Sequence, residues 1–115
     1  MKVEEIIQTI IKMCNEFQAK EVILYGSRAK GTARERSDID IAVSGVNDFD
    51  LLVEKIEELP TLYSVDVLNM DTCRNELLME DVRKYGRKIL HLMIYKMIKI
   101  SYKNFIGDFY HFVNH

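Results

Sequence analysis

Two short apolar runs, Val22-Ile23-Leu24-Tyr25 and Ile39-Asp40-Ile41-Ala42-Val43, enclose a polar stretch that opens on Gly26-Ser27 and closes on Ser37-Asp38. Short apolar runs bounded by glycine and polar clusters predict buried strands. The polar stretch therefore falls where one strand ends and the next begins, the place where open α/β sheets put their ligands.

The remaining segments support the same architecture. Val3, Ile6, Ile7, Ile10, Ile11, Met13, Cys14 and Phe17 recur at three- and four-residue spacing and predict an amphipathic first helix. Gly26 ends the first strand with a sharp turn. Ser27 is expected to cap a short helix that runs to Lys30 and stops at Gly31. The second strand is expected over about 38–43. Asp48 is placed to cap a helix through Leu59, with Leu51, Leu52, Ile56 and Leu59 inward, and Pro60 forbids its continuation. A third strand follows over 63–68, then a helix capped by Asp71 or Thr72 and running to Tyr85. The order α-β-α-β-α-β-α predicts an α/β (α+β) domain, a small mixed sheet flanked by helices, over residues 1–90. Residues 91–115 form a tail, and from its approach at Ile89 onward Leu90, Ile94, Met97, Ile98, Tyr102, Phe105, Phe109 and Phe112 fit a helical stripe. Its stretch 94–102 also fits a strand.

A chain of 115 residues supports one core and one domain. A formal net charge of -2 implies neither direct nucleic-acid binding nor attachment to a membrane. Charge distribution says more. Arg28, Lys30, Arg34 and Arg36 crowd beside Asp38 and Asp40, a local cationic patch suited to a small polyanion. Cys14 and Cys73 lack metal or redox spacing and are expected to pack in a reduced, cytoplasmic protein. The first residues carry Glu4 and Glu5 where a secretory leader needs cations, and no apolar run approaches the roughly 20 residues of a membrane span.

Asp38 and Asp40, at i and i+2 of the expected strand, project from one face and repel unless neutralised. Mg²⁺ suits them, since it takes oxygen ligands and completes its shell with phosphates. Asp66, in the next strand, would add a third carboxylate. Three acids around two ions about 3.5–4 Å apart make a two-metal phosphoryl-transfer site. Gly26 and Ser27 would hold phosphates at the turn, and Arg28 and Lys30 would neutralise a leaving pyrophosphate. A plainer reading pairs Asp38 and Asp40 with Arg34 and Arg36 at a solvated strand end and leaves Asp66 facing water. His111 and His115 stand four apart but lack a third ligand, so they read as a terminus rather than a metal site. The aromatic stripe of the tail is expected at an interface, in a homo-oligomer or against a partner chain.

Gly26-Ser27, a spacer, and Asp38-x-Asp40 between apolar residues resemble the signature of the DNA polymerase β-like nucleotidyltransferase superfamily. Arg28, Lys30, Gly31, Thr32 and Ser37 resemble its bacterial form, and the resemblance is to the minimal nucleotidyltransferases. It covers the chain to about Leu90 and includes Asp66 in Val-Asp-Val as the third family acid. The resemblance implies a palm-like fold, ATP as substrate and two Mg²⁺ ions. Asp38 and Asp40 would then hold the metals and Asp66 would act as the base. Relatives of this kind are antitoxins whose partner is an all-helical HEPN ribonuclease toxin, and the implied reaction transfers AMP to a toxin tyrosine. Two alternatives remain open: transfer to a small molecule such as an aminoglycoside, and a non-catalytic antitoxin that acts by occlusion.

Overall fold

The computed structural model describes residues 1–90. Its elements are α1 (Val3–Glu16), β1 (Glu21–Tyr25), α2 (Ser27–Lys30), β2 (Ile39–Ser44), α3 (Phe49–Glu57), β3 (Val65–Asn69), α4 (Glu76–Tyr85) and β4 (Arg87–Lys88). The strands form one mixed sheet in the order β3-β2-β1-β4. β1 runs antiparallel to both β2 and β4. β2 and β3 are parallel, with α3 as the crossover.

Side-chain alternation divides the sheet into two faces. Val22 and Leu24 of β1 and Ile39, Ile41 and Val43 of β2 pack with Ile6, Ile10, Ile11 and Cys14 of α1 and Leu52 and Ile56 of α3. Ile23 and Ala42 point the other way, into a smaller cluster with Met70 and Val82, the latter on α4. α1 and α3 thus form one layer and α4 the other. Each fully buried Ile, Leu or Val contributes about 2 kcal/mol by leaving water, so the α1–α3 face supplies most of the apolar stabilisation. The smaller cluster leaves the far end of its face free for polar residues.

Several boundaries differ from expectation. β2 begins at Ile39, so Asp38 lies just before the strand. Gly26, at φ 71°, occupies the cap position of α2, and Ser27 is the first helical residue. Gly31 ends α2 in the left-handed region at φ 76°, as its missing side chain permits. Asp48 caps α3 as expected, accepting from the Leu51 amide at 3.2 Å. Leu51 itself is exposed, because α3 turns only one side to the sheet. The α4 cap is Asn75, whose Oδ1 accepts from the Leu78 amide at 3.1 Å. Asp71 instead accepts from the Gly45 amide at 2.8 Å, which ties the end of β3 to the end of β2. The two-residue β4 has no periodicity of its own and exists through its pairing with β1. The expected helix in the tail lies outside the described residues.

Candidate functional site

Tyr25 stands opposite Asp40 in the β1–β2 register, and Asp40 stands opposite Asp66 in the β2–β3 register. Residues in register share a face. Because Ile39 and Ile41 enter the core of the α1–α3 side, Asp40 projects to the α4 side. Tyr25, Asp40 and Asp66 therefore form a row across three strands, in the part of that face beyond the small apolar cluster.

Asp40 is half-buried and Asp66 exposed. The Asp40 carboxyl is pushed up to about 6, first by burial, then by the charge of Asp66, a hydrogen bond with the Asp66 carboxyl and the charge of Asp38. Arg28 pulls it partly back. Burial and crowding by like charge both disfavour the ionised form of Asp40. Burial, Asp40 and Asp66 likewise raise the Tyr25 phenol to about 12.

Gly26 lies directly against Asp40. A Cβ on Gly26 would collide with Asp40 Oδ2, and the positive φ independently disfavours a side chain. The glycine-serine turn and the half-buried Asp40 carboxylate are in close contact, so a group seated on the turn would lie beside the acid.

Asp38 departs from the expected geometry. It is exposed, precedes the strand, and does not share a ladder with Asp40. Among the described residues no three His, Cys, Asp or Glu side chains converge tightly enough to enclose a metal. Asp40 and Asp66 stand in register, and Asp38 is near enough for its charge to reach Asp40.

The cations are also engaged differently. Arg28 Nη2 donates to the carbonyl oxygens of Ser37 at 2.7 Å and Glu35 at 3.4 Å, and its guanidinium lies 5.4 Å from the ring centroid of Tyr63. Lys30 Nζ sits 2.9 Å from Asp81 Oδ1 on α4 and 5.1 Å from the centre of the Tyr85 ring. Arg34 and Arg36 are exposed. Ser27 holds the far end of its short helix, its carbonyl oxygen accepting from the Thr32 amide at 3.0 Å. Beside the polar loop, Glu35, Arg36, Leu62 and Tyr63 line an open cavity of about 260 Å³.

Sequence reasoning missed Tyr25, Tyr63 and Asp81. Tyr25 had a signal, since it precedes the glycine-serine turn and alternates onto the Asp40 face. Tyr63 and Asp81 come close only through tertiary contacts. As a donor set, crowded carboxylates, of which Asp40 holds its proton well above the ordinary range, fit a hard divalent cation, which would replace that proton.

Residues 8–92 match the family described as polymerase beta, nucleotidyltransferase. The chain belongs to that family. This nucleotidyltransferase is 36% identical over 72 residues to a protein of Methanocaldococcus jannaschii named, provisionally, as a protein adenylyltransferase, an overlap of 62% of this chain and 71% of that one. Its fold resembles a crystal structure of a mutant MntA-HpeT toxin-antitoxin, with TM-score 0.56 and 20% identity over 88% of this chain and 95% of the other. A toxin-antitoxin structure with AMP-PNP is similar at TM-score 0.56 and 21% identity, with the same coverage. No helix among the described residues is long and apolar enough to cross a membrane.

Proposed function

We propose that this nucleotidyltransferase moves AMP from ATP to a tyrosine hydroxyl of a partner protein, and that it is the cytoplasmic antitoxin of a HEPN ribonuclease toxin. The observation that carries the reading is the contact between the Gly26 turn and Asp40, which stands in register with Asp66. It supports a triphosphate seated on Gly26-Ser27 with its α-phosphorus above the acid pair. The provisional naming of the Methanocaldococcus jannaschii relative as a protein adenylyltransferase supports a protein acceptor. The toxin-antitoxin likeness of fold suggests which kind.

Asp38, Asp40 and Asp66 would hold Mg²⁺, which when bound offsets phosphate charge and polarises the phosphoryl oxygens. Asp66, the exposed member of the pair, takes the proton of the incoming hydroxyl. The hydroxyl oxygen bonds to the α-phosphorus as the bond to the β-phosphate oxygen breaks, and pyrophosphate leaves. Gly26 and Ser27 orient the phosphates. Lys30, whose ammonium rests on Asp81, supplies positive charge to the leaving group.

The test is incubation of the protein with labelled ATP, Mg²⁺ and the helical product of an adjacent gene, followed by peptide mass spectrometry. The expected result is an adenylyl group on a partner tyrosine, absent with Asp38→Asn/Asp40→Asn and without Mg²⁺. Equal protection from the toxin by that double variant would leave occlusion as the function.

A further inference from the structure

Asp38 belongs to no strand, yet its backbone is anchored on both sides. On the C-terminal side the Ile39 amide donates to the Ser64 carbonyl oxygen at 2.9 Å, where β2 meets the approach to β3. On the N-terminal side the Ser37 carbonyl oxygen receives Arg28 Nη2 at 2.7 Å. The preceding turn is closed by two further bonds: the Arg34 amide donates to Ser37 Oγ at 2.8 Å, and the Ser37 amide to the Arg34 carbonyl oxygen at 3.1 Å. Arg28 Nη2 also reaches the Glu35 carbonyl oxygen at 3.4 Å.

The arginine is itself held. Its guanidinium lies against the Tyr63 ring, and its Nε is buried with no hydrogen-bond partner among the described residues. A planar guanidinium that lies over an aromatic ring while its Nη2 donates to two backbone carbonyls is fixed at both ends, an arrangement that the flexible point charge of lysine reproduces poorly. One side chain thus connects α2, which follows the Gly26 turn, to the segment before Asp38 and to the segment before Asp66.

We infer that Arg28 is a positioning residue for Asp38: stacked on Tyr63, it clamps the Ser37 carbonyl oxygen and so sets where the Asp38 carboxylate stands. This rests on the proposed reading of Asp38 as a metal-holding residue. It differs from the expectation that Arg28 contacts phosphate, and the two make opposite predictions. A phosphate contact depends chiefly on charge, which Arg28→Lys retains, and has no need of Tyr63. A clamp depends on the placement of Nη2 and on the ring.

The experiment uses the full chain without nucleotide and compares Arg28→Lys, Tyr63→Leu, Tyr63→Phe and Asp38→Asn. Amide hydrogen exchange over 34–38, measured without metal, is expected to accelerate in Arg28→Lys and Tyr63→Leu and to stay at the wild-type rate in Tyr63→Phe. Mn²⁺ binding followed by electron paramagnetic resonance should weaken about 10-fold in the same two variants, the size expected when support of a ligand is lost. Combining the two substitutions should add little to either alone. If Arg28→Lys fails to fold, Tyr63→Leu against Tyr63→Phe decides the matter. Wild-type exchange in both Arg28→Lys and Tyr63→Leu would overturn the clamp. Wild-type Mn²⁺ affinity in Asp38→Asn would instead remove the metal role of Asp38, while hydrogen exchange still reports on the clamp.

Discussion

The α-carbon of Gly26 packs against the carboxylate of Asp40 so closely that a methyl group could not fit between them. Turn and acid are built as one unit, although the polar loop separates them in the chain. Gly31, with a similar positive φ of 76°, has nothing within 4 Å of the corresponding position. The two glycines therefore separate backbone strain from collision. Gly31→Ala is expected to cost about 1 kcal/mol of stability from strain alone and to retain most activity. Gly26→Ala adds displacement of Asp40, so transfer should fall by roughly 100-fold. Thermal melts and single-turnover adenylylation check both, and comparable activity in the two variants would refute the coupling.

Asp40 makes the metal-free protein sensitive to pH. Its carboxyl is raised from 3.8 to about 6, chiefly by burial and then by Asp66. The folded state therefore binds the proton more tightly than the unfolded chain. This contribution is fully present below about pH 4 and is lost as pH rises through about 6. Since Asp40 is only half-buried, screening reduces the effect to about 1 kcal/mol. Asp40→Asn should therefore be more stable than wild type at pH 7.5 without divalent ions and should lose that advantage near pH 4. Mg²⁺ should stabilise wild type and not the variant. Melting temperatures at the two pH values, with and without EDTA, provide the measurement.

The Lys30–Asp81 pair is 39% and 30% exposed at its two side chains, so its contribution to stability is below about 1 kcal/mol and weakens with salt. Asp81→Asn should melt within a few degrees of wild type. Lys30→Ala should melt similarly yet lose about 10-fold in kcat/KM for ATP if, as proposed, its charge acts on the leaving pyrophosphate. A large loss of stability in Lys30→Ala with normal kinetics would assign the lysine to the fold alone.

Much of the site was readable before folding was considered, because its elements are local. The Gly26-Ser27 turn, the apolar runs of β1 and β2, and the Asp48 cap each follow from neighbouring residues. Asp66 was found as the polar exception in an apolar alternation. The α4 cap was misplaced because Asp71, Thr72 and Asn75 are all competent N-caps. The Gly45 amide engages Asp71 where the ends of β2 and β3 meet, and Asn75 caps the helix. Leu51 fitted an apolar helical face, but α3 rests on one side only.

Residue pattern alone determined the number and kind of the main elements, the position of the glycine-serine turn and the identity of the candidate acids, since hydrophobic period and turn chemistry act over a few residues. Tertiary structure alone decided that Asp40 stands beside Asp66 and under Gly26, that Asp38 lies outside the strand, and that Arg28 and Lys30 are engaged by Tyr63 and Asp81. Those relationships come from strand register and from helices packed across a sheet. They join residues far apart in the chain, where local preference carries no information about distance.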